Sequence, residues 1–185
     1  MTVNNTVVTS SNLIQGPATL YLGLFGAAEP ALITAAAGVA FTDVGGTRDG
    51  VTIGFADEYS VLEVDQVIYE VGRVRTKRVI TVATSMAEAT LDNLALAINN
   101  SAPAAGVLEG DDGPMAFRPG YRALLLDGLA PGGQRRRIIV RKVLQTENVE
   151  AGYMKDGQML FPVTFTGHWV STSVKPFKIT DEALV

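Results

Sequence analysis

Few residues in this chain have the type and spacing to do chemistry. Glu63 and Asp65 stand two apart in "VLEVDQ". On a strand that spacing puts both carboxylates on one face, as acid–base pairs sit in glycosidases. No aromatic platform flanks them, and the plainer reading is a pair of exposed acids on a wet sheet face. His168 is the only histidine, and there is no cysteine, so the usual zinc ligand sets cannot be assembled. A Ser-His-Asp triad would have to use His168, yet no G-x-S-x-G turn presents a serine. The glycine-rich stretch "DVGGTRDG" lacks G-K-[ST] and precedes a strand, so it offers no helix amides to a phosphate. In "EGDDG", Asp111 and Asp112 form a turn that could hold a cation, but without EF-hand spacing. No catalytic residue, metal site or cofactor is expected.

The charges fall in blocks. Residues 51–70 hold five acids, including Asp57, Glu58, Glu63 and Asp65, and no base. Residues 71–80 hold four bases and no acid, and residues 134–142 hold five more bases. Arg135, Arg136 and Arg137 could grip phosphates. A nucleic-acid surface normally adds net positive charge and stacking aromatics. This chain carries a net charge of −4, and few aromatics lie near those arginines. Pairing of basic strands with acidic ones, within or between subunits, is the simpler account.

The elements that must position these residues are mostly strands. The chain has 185 residues, 47% of them hydrophobic, which suits one domain with a proper core. No apolar run approaches the roughly 20 residues that span a bilayer. Residues 1–15 lack a basic segment and a long apolar core, so they read as a polar arm rather than a secretory signal. The absence of cysteine fits a reducing cytosol. A strand is expected over 17–25 and a long, weakly patterned loop over 25–50. Val51, Ile53 and Phe55 then alternate with polar and small residues. A bend is expected near 57–60, followed by a second strand with Glu63 and Asp65 on its wet face. Another strand covers 73–84. The spacing predicts a helix over 86–99, with Ser85 and Glu88 as a capping box and Leu91, Leu94, Ala95 and Ile98 as its apolar stripe. A second long loop follows over 99–120. Strands are expected over 121–130 and 134–147. The last strand carries Met159, Phe161, Val163, Phe165 and Trp169 inward, and residues 171–185 form a polar tail. The sum is six or so antiparallel strands and one helix. That predicts a mainly β fold, an open β-sandwich or partial barrel, with one domain over 16–170 between two arms.

"TLYLGLFGAAEP", a long loop, "FTDVGGTRDGVTIGF", "VLEVDQ" and then "TLDNLALAINN" follow one another in an order that resembles the major tail proteins of long-tailed bacteriophages, which form the tail tube. The resemblance covers about residues 16–100. It implies a structural virion protein and no enzyme. Six copies would make a ring whose inner sheets join into one closed barrel, and rings would stack into a tube. The wet face of the 51–67 segment would then line a channel, with Glu58, Glu63 and Asp65 repelling the phosphates of double-stranded DNA that slides past without specific binding. Arg73, Arg75, Arg135 and Arg137 would lie at subunit contacts. The loop at 26–49, with Glu29, Thr34, Asp43 and Arg48, would reach the next ring and order there. The implied partners are further copies of the chain and the tape-measure, tail terminator and distal tail proteins. The implied place is the virion tail, assembled in the cytoplasm of a bacterial host. A contractile-tail or type VI-like tube protein shares this ring-forming subunit. A monomeric carbohydrate-binding module would instead need an exposed aromatic platform, for which Trp169 and Tyr153 are the candidates.

Overall fold

The structure is a computed structural model that describes residues 9–112, 117, 118 and 120–182. Parts of the expected N-terminal arm, of the 99–120 loop and of the C-terminal arm lie outside the described residues. The described elements include eight strands and one α-helix. They are β1 (Thr19–Leu24), β2 (Phe41–Asp43), β3 (Thr47–Leu62), β4 (Gly72–Met86), α1 (Leu91–Ala97), β5 (Arg122–Leu129), β6 (Arg135–Gln145), β7 (Phe161–Gly167) and β8 (Phe177–Asp181). All pairs are antiparallel. The order is β2-β1-β5-β6-β7-β4-β3, with β8 also paired to β6. The sheet forks at β6. One part of that strand, 136–140, pairs with β8, and its end, 143–145, pairs with β7.

The alternation of β4 and β7 explains the main core. Ile80, Val82 and Met86 are buried from one strand, and Phe161, Val163 and Phe165 from the other. They join Leu20, Leu22, Leu124, Leu126, Val140 and Val143 in one cluster. A seven-residue helix cannot cover that much apolar surface. The sheet therefore curls over its own core. Phe55 of β3 comes within 5.5 Å of Phe177 of β8, ring centre to ring centre, although those strands share no ladder. The curl is not a closure, and β2 and β3 end the strand order as open edges. The uninterrupted apolar run in β5 has a direct cause. Leu124 and Leu126 enter the main core, while Ala123 and Leu125 enter a second cluster with Ala37, Phe41 and Ile139. A strand buried on both faces cannot alternate.

Several sequence expectations need correction. The two strands expected over 51–67 are one strand, β3, which ends at Leu62. A register shift between Glu58 and Tyr59 interrupts the alternation, as a bulge does, and reads as a bend in the sequence. Glu63 and Asp65 therefore lie past the strand, in the hairpin end, and not on a strand face. The capping box is absent. Ser85 is held in the sheet between Arg48 and Pro162, and the helix starts five residues later than expected, at Leu91. Thr90 is the N-cap, its hydroxyl accepting from the Asn93 amide at 3.2 Å. Glu88 instead accepts from the Gly46 amide at 2.9 Å. It sits over Gly45, whose φ of +81° and position against that carboxylate leave no room for a side chain. The buried helix face is Asn93, Ala95 and Ala97, whereas Leu91 and Ile98 are exposed. Trp169 lies beyond the end of β7 and is exposed rather than in the core. The tail after 170 includes β8, which lies along β6.

Candidate assembly surfaces

The β3–β4 hairpin explains the acidic block. Asp57 lies opposite Arg78, Glu58 opposite Lys77 and Tyr59 opposite Arg75. Arg78 holds both Asp57 oxygens at 2.7 Å, and Arg75 approaches the same carboxylate at 3.2 Å. The Tyr59 hydroxyl donates to it at 3.2 Å. Lys77 meets Glu58 at 2.9 Å, and Arg73 meets Glu70 at 2.9 Å. The acids of one strand thus find their bases on the next. The hydrogen bond from Arg78 is the main reason that the Asp57 carboxyl is pulled down to about 2, from an ordinary 3.8. A carboxylate depressed on folding contributes stability above pH 3.8, and that contribution is lost as the pH falls toward 2. Carboxyl-carbon NMR should therefore show Asp57 titrating near pH 2 in the folded subunit. A midpoint near 4 would mean that the Asp57–Arg78 pair does not form.

The other face of the same strands has a different chemistry. Thr52, Ala83 and Thr164 form one row across β3, β4 and β7, and Gly54, Thr81 and Thr166 form the next. Thr146 and Thr166 hydroxyls lie 2.8 Å apart. These side chains point away from Val82, Val163 and Phe165, which fill the core from the opposite side. The result is a smooth, uncharged face of hydroxyls and small side chains. Arg48 bounds it at one end, and the Glu58–Lys77 pair bounds it at the other. Sequence reasoning passed over this face. Its signal was present as alternating Thr, Ala and Ser in "TVATS" and Thr in "VTFT".

The arginines expected at subunit contacts are engaged within the chain. Arg73 and Arg75 belong to the hairpin pairs described above. Arg137 is 3% exposed and holds Asp127 at 2.6 and 2.7 Å. It also donates to the carbonyls of Leu32 at 3.2 Å and Ala35 at 2.8 Å. The Asp127 hydrogen bond raises the Arg137 pKa, so the buried group stays charged. Arg135 donates to Ile33 O at 3.0 Å, and Arg141 pairs with Glu29. This corrects the picture of an unpacked 25–50 loop. The stretch 27–40 lies on its own sheet, pinned through main-chain carbonyls and sealed by Ala37 and Ala40. Such anchoring leaves no periodicity in the loop sequence. Thr34 is exposed on that loop, while Asp43 ends β2 and accepts from the Gly45 amide at 2.9 Å. Arg48 is an exposed residue of β3.

His168 stacks edge-on against Tyr121, ring centres 5.3 Å apart. Burial, and then Lys142, lowers its pKa and favours the neutral ring. Among the described residues no group of three or more His, Cys, Asp or Glu is placed to hold a metal. Among the described residues no helix is long and apolar enough to cross a membrane.

Among the described residues β2 and β3 are edge strands without a second partner, and exposed edges of this kind are open to pairing with another chain. The chain belongs to the phage tail tube protein family, whose model matches residues 1–178. It is also similar to a chain in the virion of a native gene transfer agent particle, at 10% identity over 89% of this chain and 95% of that one, with a TM-score of 0.46. No curated protein matches it. The family is a structural one rather than an enzyme family. The protein is therefore a structural component of a virion tail, built into the tube with copies of itself.

Proposed function

We propose that this subunit closes into hexameric rings, that the rings stack into the tube of a non-contractile tail, and that the tube carries double-stranded DNA into the host. The observation that carries this reading is the pairing of faces on β3, β4 and β7, where one side is packed core and the other is an uncharged layer of hydroxyls. A basic wall would release counterions from DNA and hold it. A hydroxyl wall gives phosphate no cation to grip. Glu58, offset by Lys77, marks the end of this wall, and Glu63 and Asp65 add negative charge at the hairpin end, where they repel the polyanion.

Ring closure follows from the edges. β3 offers a 16-residue strand that, among the described residues, has only one partner, β4. An exposed edge of that length invites another chain, and pairing around a ring removes it. Such an interface joins two different patches of identical subunits. Arg73 and Arg75 stand beside this edge, on β4, and can exchange their present acids for those of a neighbour. Arg135 and Arg137 instead brace the 27–40 loop, and the 26–49 stretch, with Thr34 on the loop, Asp43 at the end of β2, Arg48 on β3 and Glu29 held by Arg141, faces a stacked ring. The tape-measure, tail terminator and distal tail proteins are the partners at the tube's bore and ends, and assembly takes place in the bacterial cytoplasm before the tail joins the virion.

Negative-stain electron microscopy of the purified protein over a concentration series tests this directly. Rings and tubes of uniform diameter are expected. A particle that stays monomeric at every concentration would contradict it.

A further inference from the structure

We propose that the end of the β3–β4 hairpin, residues 63–71, inserts into the recess between β7 and β8 of a second copy of this chain. The proposal deepens the tube reading and rests on it. Hairpin ends are usually polar turn residues. This one is apolar and bare, with Ile68 99% exposed, Tyr69 82% and Val71 58%. Leu62, Val64 and Val67 extend the same exposed patch. A contiguous apolar surface of this kind marks an interaction site. Its carboxylates are also available. Glu70 is taken by Arg73, whereas Glu63 and Asp65 have no ion-pair partner among the described residues.

A complementary recess lies elsewhere on the subunit. Ile80, Gly167, Trp169, Pro176 and Phe177 line a cavity of about 420 Å³, with Lys175 and Arg78 among the residues around it. Arg78 is committed to Asp57, but Lys175 makes no ion pair among the described residues. Trp169 stands exposed beside the cavity. The recess therefore offers apolar walls and an uncommitted cation to an apolar segment with uncommitted acids. The chain cannot fill its own recess with its own hairpin end. Ile80 and Gly72 are eight residues apart on β4, a separation of about 26 Å at about 3.3 Å per strand residue. The occupant is thus another copy. Because the two patches differ, the contact repeats from subunit to subunit.

The chain has no cysteine, so a designed pair reports this contact without background. Ile68→Cys and Trp169→Cys in one chain, oxidised under tube-forming conditions, should give a ladder of crosslinked multimers on a non-reducing gel. Mixing the two single variants should give dimers, and pairing Ile68→Cys with Thr34→Cys should give no ladder. The same samples are viewed by electron microscopy. Tubes without the ladder overturn the docking and leave the tube reading standing, whereas neither tubes nor ladder overturns both. As a second readout, Ile68→Asp should leave the circular dichroism of the monomer unchanged. It should raise the concentration at which tubes appear by about tenfold or more, as loss of a central apolar anchor does. An unchanged assembly threshold overturns the proposal.

Discussion

Replacing Arg137 with methionine should lower the stability of the subunit by about 3–5 kcal/mol, the usual cost of removing one member of a buried ion pair. The side chain is almost wholly covered and satisfies two groups at once, the Asp127 carboxylate on β5 and two carbonyls of the 27–40 loop. Methionine fills much of the volume but supplies no donor. Asp127 would be left without its cation, and the carbonyls of Leu32 and Ala35 would each lose a donor over the sheet. An unsatisfied buried polar group costs far more than an ordinary hydrogen bond contributes. Urea denaturation measures the loss. Hydrogen exchange should show it concentrated in the 27–40 loop and the second core cluster beneath. Arg136→Met is the internal comparison. Its bond to Asp181 is as short, at 2.6 Å, but the two side chains are 34% and 42% exposed. Solvent screening should make that loss much the smaller of the two. Equal losses at the two positions would contradict the buried-clamp account.

The second large effect bears on the proposed passage of DNA rather than on folding. Thr81 and Thr164 lie within the hydroxyl face, partly exposed, on neighbouring strands. Replacing both with lysine leaves the core untouched, so the subunit should fold and tubes should form. Their bore would then carry lysines in every subunit. DNA should bind such tubes in low salt. Its affinity should fall about 10³–10⁵-fold between 50 and 200 mM salt, as expected when some six to ten phosphates are neutralised. Unmodified tubes should show no comparable retention. A lysine-bearing tube as indifferent to DNA as the original would mean that this face does not line the conduit.

The strands were legible where one face meets solvent. β7 and the second half of β4 alternate, and Phe161, Val163 and Phe165 are core residues as their spacing predicts. The mainly β architecture and the single helix followed from that periodicity. Register and sheet order did not. The bulge at Glu58–Tyr59 made one strand look like two, and the pairing of β3 with β4 was needed to show that acids and bases face each other. Ser85 and Glu88 fit a capping pattern in the sequence, but the ladder from β3 and β7 holds Ser85 in the sheet. The role of Arg135 and Arg137 was hidden for a similar reason. Besides Asp127, which holds Arg137, their partners are backbone carbonyls about a hundred residues away, and no residue type marks a carbonyl. The threonines of β4 and β7 carry no charge, so no charge pattern in the sequence marks the face they form.

The central claim is that the face bearing Thr81, Ala83, Thr164 and Thr166 is the wall of a conduit. Helical reconstruction of assembled tubes at side-chain resolution tests it most directly. The account predicts those four residues facing the bore, with Val82, Val163 and Phe165 behind them inside the wall. A map that places the threonines on the outer surface or within a subunit contact, with arginines toward the bore, would contradict it.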